Sequence, residues 1–147
     1  ASLRLFKKIS FLDDAAKGDD IIGKCSDLFK FRDEYPIAFI AIGDNSLRKK
    51  YAALLREYHF LIPSIVSPAA NISPGAVLGD GVVILPMARV GEASIGDFSI
   101  IASNGVVSSG ARVGSFSHID CGAIVQQRAH VKESTWVRSG EIYGDKL

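Results

Sequence analysis

The side chains of this 147-residue chain best suited to moving a proton near neutral pH are its histidines, His59, His118 and His130. His59 closes an amphipathic run and reads as a surface or capping residue. His118, in Phe116-Ser117-His118-Ile119, stands just before an aliphatic position, and His130 follows twelve residues later. Zinc needs about three converging imidazoles, and this spacing holds them apart, so no metal is expected. Cys25 and Cys121 are too few and too distant for a disulfide framework or a Cys-x-x-Cys site. Two further polar strings close apolar runs: Asp13-Asp14, and Gly43-Asp44-Asn45-Ser46. In α/β sheets, ligands collect at the carboxyl ends of strands, where both strings would lie. Neither carries a GxGxxG or P-loop pattern.

The elements that position these residues fall into two modules, 1–63 and 64–147. In the first, 9–12 predict a short strand and 15–20 polar turn material. The run Ile37-Ala38-Phe39-Ile40-Ala41-Ile42 predicts a strand buried on both faces. Gly43 to Ser46 supply a turn and a helix cap. Leu47, Tyr51, Leu54, Leu55 and Tyr58 then follow at helical spacing, with charges opposite. This is half of a nucleotide-binding βαβ unit, and the module reads as a small α/β domain.

From Ser64 onward the sequence repeats every six residues. Val66, Ile72, Leu78, Ile84 and Val90 are six apart. After one step of five, Ile95, Ile101, Val107, Val113, Ile119, Val125, Val131, Val137 and Tyr143 continue the series. A small residue precedes most of them by two positions, from Ser64 and Ala70 to Ala129 and Thr135. Three hexads make one triangular coil, with an aliphatic side chain filling each face and a small residue where the chain turns inward. The expected fold is a left-handed parallel β-helix, with a local bulge or a tightened corner between Val90 and Ile95. Across successive coils, His118 would stack between Ile100 and Trp136, and His130 above Arg112. A prism of about 22 Å, at the usual inter-strand spacing, leaves apolar outer faces that a homotrimer around a three-fold axis would cover.

Composition narrows the partners. The 17 basic and 16 acidic residues balance, which excludes a strong field for nucleic acid or anionic membranes. Apolar runs are far short of the ~20 residues a spanning helix needs, and no secretory leader pattern opens the sequence. A reduced, cytoplasmic setting is expected.

The strings ISFLDD (9–14), FIAIGDNSLRKK (39–50), IVSPAANISPGAVLGDGVVILPMA (65–88), IGDFSI (95–100) and VGSFSHIDCGA (113–123) resemble one family. It comprises the bacterial hexapeptide-repeat sugar acetyltransferases of the sialic acid O-acetyltransferase and bacillosamine N-acetyltransferase type. The resemblance implies an acetyl-CoA-dependent transferase acting on a nucleotide-linked sugar in surface glycan synthesis, working as a trimer with acetyl-CoA in the groove between subunits. It implies that Asp13, Asp14, Gly43, Asp44 and Asn45 bind the nucleotide-sugar. His118 would lie near the acetyl group, and backbone N–H groups at Gln126 and Gln127 would receive the thioester oxyanion. Two departures stand out. The family's opening Gly-rich loop does not occur in these residues, and Ser109-Gly110 stand where the family has its general base and that base's orienting acid. A serine hydroxyl is a poor base without an activating neighbour. The alternative is therefore a degenerate, non-catalytic trimer that binds a nucleotide-sugar or a protein partner.

Overall fold

The computed structural model describes residues 7–15 and 17–144. Contacts divide the chain into two compact units, Ala1–Pro36 and Ile37–Leu147. In the first, strands Phe11–Leu12 and Ile21–Gly23 pair in parallel, and a 3-10 helix follows at Cys25–Phe31.

The second unit is a parallel β-solenoid preceded by one helix. Its fourteen two-residue strands form three parallel sheets of five, four and five strands. The first face stacks Ile65–Val66, Val83–Ile84, Ile100–Ile101, His118–Ile119 and Trp136–Val137. The second runs from Asn71–Ile72 to Ile142–Tyr143. The third runs from Val77–Leu78 to His130–Val131. The second residue of each strand points inward, because side chains alternate along a strand. Ile84, Ile101, Ile119, Val125, Val131 and Val137 are all 0% exposed and form one continuous column. Small residues fill the corners as the hexad pattern requires: Ala88 and Ala123 are buried, and the buried Ser99 and Ser117 hydroxyls donate to the carbonyls of Gly114 and Lys132.

From Phe98 to Gly140 the corners place a positive-φ residue every six positions. The five-residue step removes that residue from the corner at 91–93, yet the register closes: Leu78 pairs with Ile95, seventeen residues on. Of the two forms expected there, the tightened corner is present. Phe98 and Phe116 occupy the same positive-φ corner in successive coils, where a bulky side chain is strained by about 1–2 kcal/mol. Their rings stack at 5.3 Å, which offsets part of that cost.

Two local expectations change. The 37–42 run makes one parallel bridge, Ile37 to Leu61, and alternates between exposed and half-buried residues. It is covered on one side, not two. Helix α1 spans Asn45–Glu57 with Asp44 as its cap, the carboxylate accepting from the Leu47 N–H at 2.8 Å. Its buried residues are Arg48, Ala52 and Leu55, whereas Leu47 is 48% exposed. The buried stripe is rotated away from the apolar spacing because it centres on an arginine.

Truncating the column at Ile119→Ala should cost about 2–4 kcal/mol in urea unfolding, whereas Ile65→Ala at the half-open first coil should cost under about 1 kcal/mol.

Candidate functional site

Arg48 organises the region around His118. Its side chain is 1% exposed and lies where α1 meets the corner between the third and first faces. Its Nε donates to the Phe98 carbonyl at 2.7 Å. One terminal nitrogen donates to the carbonyls of Ile42 and Gly43, the other to Asn45 Oδ1 and the Phe116 carbonyl, with Ser117 O at 3.3 Å. All five guanidinium N–H groups are thereby used. Burial draws the arginine pKa down and the nearby Asp44 charge raises it. The carbonyls it holds belong to the strained Phe98 and Phe116, and to the loop that approaches His118.

His118 projects outward from the first face, in register with Ile100 and Trp136. Its side chain is 14% exposed. The imidazole stacks on the Trp136 indole, centroids 5.2 Å apart and planes 7° apart. The Arg138 guanidinium stacks on Trp136 at 4.2 Å. Nδ1 is buried without a well-formed hydrogen bond among the described residues. Nε2 lies 4.0 Å from Asp120 Oδ1. Burial lowers the imidazole pKa most strongly, the Asp120 charge opposes that, the Arg48 charge adds to it, and the Gly43 carbonyl favours the protonated ring. The net direction is down, so the ring is a neutral base at pH 7.

The Gly43 carbonyl is thus brought beside His118, and Asp44 and Asn45 follow it into the start of α1. The Asp44 carboxylate caps α1, and Asn45 bridges Arg48 to the Ser134 carbonyl, its Nδ2 donating at 3.1 Å. Asp13 and Asp14 lie in the Ala1–Pro36 unit, where their carboxylates accept from the backbone N–H groups of Ala15 and Cys25. Gln126 and Gln127 sit at the corner between the second and third faces, away from the first face that bears His118. The Gln126 N–H is already bonded to the Tyr143 carbonyl. His130 is exposed on the third face beside Arg112. His59 has φ 55° just past α1 and ends the helix, as its sequence context suggested.

Ser108, Ser109, Gly110 and Ala111 carry no histidine or carboxylate into their corner. The Ser109 hydroxyl accepts from the Glu92 N–H at 3.2 Å. A side chain at Gly110 would meet Arg128 Cγ at 3.1 Å, at a φ of +76°. Beside this corner lies a hollow of about 340 Å³, lined by Asn71, Ser73, Arg89, Val106, Ser108 and Ser109 among others. Among the described residues, no group of three His, Cys, Asp or Glu side chains could hold a metal ion, and no helix is long and apolar enough to cross a membrane.

Sequence reasoning missed Arg48 and the approach of Asp120 to His118 within one copy. A buried arginine carries no periodic signal. Asp120 stands at a turn position of the hexad, which pointed to a pairing, if any, with His118 of an adjacent copy.

No protein-family model matches the sequence. Solved structures do. The chain is similar to PerB from Caulobacter crescentus in complex with CoA and GDP-perosamine, at 25% identity over 94% of this chain and 77% of that one, with a TM-score of 0.77. It is similar to the acetyltransferase domain of PglB from Neisseria gonorrhoeae in complex with acetyl coenzyme A, at 25% identity over 92% and 77%, with a TM-score of 0.73. A variant of perosamine N-acetyltransferase from Caulobacter crescentus, also with CoA and GDP-perosamine, shares the fold at 23% identity over 94% and 77%, with a TM-score of 0.79. These structural neighbours are acetyltransferases that bind CoA or acetyl-CoA.

Replacing Arg48 by Ala removes five donors from buried carbonyls and should destabilise the protein by about 3 kcal/mol or more. Arg48→Lys, with about three donors on one nitrogen, should rescue less than half, read by thermal or urea unfolding. The depressed His118 pKa also has a stability sign. The unfolded chain binds that proton more tightly, so this group's contribution is present above about pH 6.5 and falls away as the pH drops through the folded value.

Proposed function

We propose that this protein is an acetyl-CoA-dependent acetyltransferase acting on a nucleotide-linked amino sugar in surface glycan synthesis, with His118 as its base. The observation that carries this reading is the placement of His118: a half-buried imidazole on the first face, stacked on Trp136 and held beside a carboxylate and the Gly43 loop. The likeness at 25% identity to a protein that binds CoA and GDP-perosamine supports the substrate class. In this reading the solenoid winds left-handed and three copies associate. Residues 1–63 form the nucleotide-sugar module, with Asp13, Asp14 and the 43–45 loop toward the sugar nucleotide, and 64–147 the acyl-transfer module.

Trimerisation has a chemical reason here. Gln126 and Gln127 lie on a different corner from His118, and the Gln126 N–H is already bonded to the Tyr143 carbonyl; one copy cannot aim the Gln127 N–H at a carbonyl beside His118, whereas an adjoining copy can. The amine nitrogen forms a bond to the thioester carbon while its proton passes to His118. The oxyanion rests on the Gln127 N–H of the adjoining copy. Collapse breaks the C–S bond, and the proton returns from the imidazolium to the leaving sulfur, giving the N-acetyl sugar and free CoA. The residues present suit CoA in kind. Backbone amides at solenoid corners match an amide-bearing pantetheine arm, and Arg89, Arg112 and Arg128 lie exposed on the outer faces or corners for its phosphates.

A second reading, a non-catalytic binding protein, is favoured by one observation, the Ser109 corner without a base. Thiol release from acetyl-CoA with a panel of nucleotide-linked amino sugars separates the two. The transferase reading expects turnover that His118→Ala lowers about 10²–10⁴-fold, while Ser109→Ala stays within about twofold of the parent. CoA binding measured by calorimetry without any turnover would support the non-catalytic reading, and absence of both would overturn the transferase.

A further inference from the structure

Asp120 lies one residue beyond the strand His118–Ile119, at the start of the corner that leads to the second face. Its carboxylate folds back along the first face. Oδ1 accepts from the Cys121 N–H at 2.7 Å and comes within 4.0 Å of His118 Nε2, while Oδ2 accepts from the Trp136 indole N–H at 3.3 Å. The indole that holds Asp120 is the same ring on which His118 stacks, and its other face carries Arg138. Three side chains from two successive coils therefore fix one another.

We propose that Asp120 is the positioning residue for His118, and that Trp136 fixes the pair, so that the acid–base couple of this protein stands on the first face and not at the Ser109 corner. The proposal rests on the transferase reading for its catalytic consequence, though the pairing itself can be measured without turnover. At 4.0 Å the contact is an ion pair in waiting. When Nε2 takes up a proton, the ring becomes a cation beside a carboxylate already oriented by two other donors, so little reorganises in the step that creates the charge. Asp120 suits this task because those same bonds, to Cys121 first, keep its carboxyl ionised below the ordinary aspartate value. The Ser139 side chain adds a further bond in the same direction.

The charges around His118 are countable. From α1, Arg48 disfavours the imidazolium; from the preceding loop, the Gly43 carbonyl favours it; from the strand's own end, Asp120 favours it. From the coil above, Arg138 is separated from the imidazole by the indole. From the coil below, Ile100 contributes no charge. Asp120 is thus the only anion facing the ring among the described residues of these packed elements, and its neutralisation should leave burial and Arg48 largely unopposed.

The test is Asp120→Asn, which keeps size and hydrogen-bonding shape, read first by NMR titration of the His118 ring with His59 and His130 as internal controls. The His118 midpoint should move acidward while the other two stay in place. In the acetyl-transfer assay, kcat should fall about tenfold as the base weakens, KM should change less than about twofold, and the acid limb of the pH profile should shift the same way. Trp136→Phe, which keeps the stack but removes the N–H, should move the His118 midpoint in the same direction by a smaller amount. A His118 midpoint unchanged in Asp120→Asn overturns the proposal whatever the activity. A shifted midpoint in a protein whose parent shows no turnover upholds the pairing and overturns the transferase reading instead.

Discussion

One buried cation holds the candidate site together. Arg48 reaches from α1 into a corner of the solenoid and binds six oxygen acceptors, three from that corner and three from its own helix start and the loop before it. Two belong to Phe98 and Phe116, residues held at positive φ, and one to Gly43, whose carbonyl faces His118. A desolvated guanidinium is costly unless every N–H is bonded. The arrangement therefore tolerates little movement: shifting the loop, the helix or the corner leaves a charge or a carbonyl unpartnered. The division at Pro36–Ile37 follows from the same contacts, because the helix and its loop are bonded to the coils.

The solenoid offers two kinds of place for chemistry, and they differ physically. Corners such as Ser108–Ala111 expose backbone and short side chains at constrained φ values. Faces present a ladder of outward side chains at about 4.8 Å spacing, so that neighbours from successive coils stack. Ser109 illustrates the first kind and has no group that could take a proton. The His118–Trp136 ladder illustrates the second, and the stacked indole screens one side of the imidazole from water. Burial then lowers the imidazole pKa while a carboxylate at its edge limits the fall. Those opposing effects leave a base that is neutral at pH 7 yet can hold a proton transiently.

The solenoid was legible from the sequence because its signal is repeated. Most hexads commit one aliphatic and one small residue, and the repetition fixes the register closely enough to pair His118 with Ile100 and Trp136 before any coordinates. The helix was legible as an element, through Asp44 and its periodic apolar residues, but not in its orientation. Spacing assigns an arginine to solvent, and nothing local reveals that Arg48 meets carbonyls about fifty and seventy residues away. The 37–42 run misled for the converse reason: continuous apolar character measures a capacity for burial, whereas only Leu61 pairs with it in the described structure. The hexad position of Asp120 marked it as a turn residue, and spacing alone does not reveal that it accepts an indole bond that holds it near His118 of the same copy. Of the candidate site residues read from resemblance, Gly43 lies beside His118, while Gln126 and Gln127 stand on another corner.

The central claim is that acyl transfer is organised around His118. The most direct test follows the ring carbons of His59, His118 and His130 by NMR while CoA and then a nucleotide-linked amino sugar are added. The account predicts that the His118 resonance shifts with both ligands while His59 does not respond. A His118 signal that stays fixed while CoA binds would contradict it.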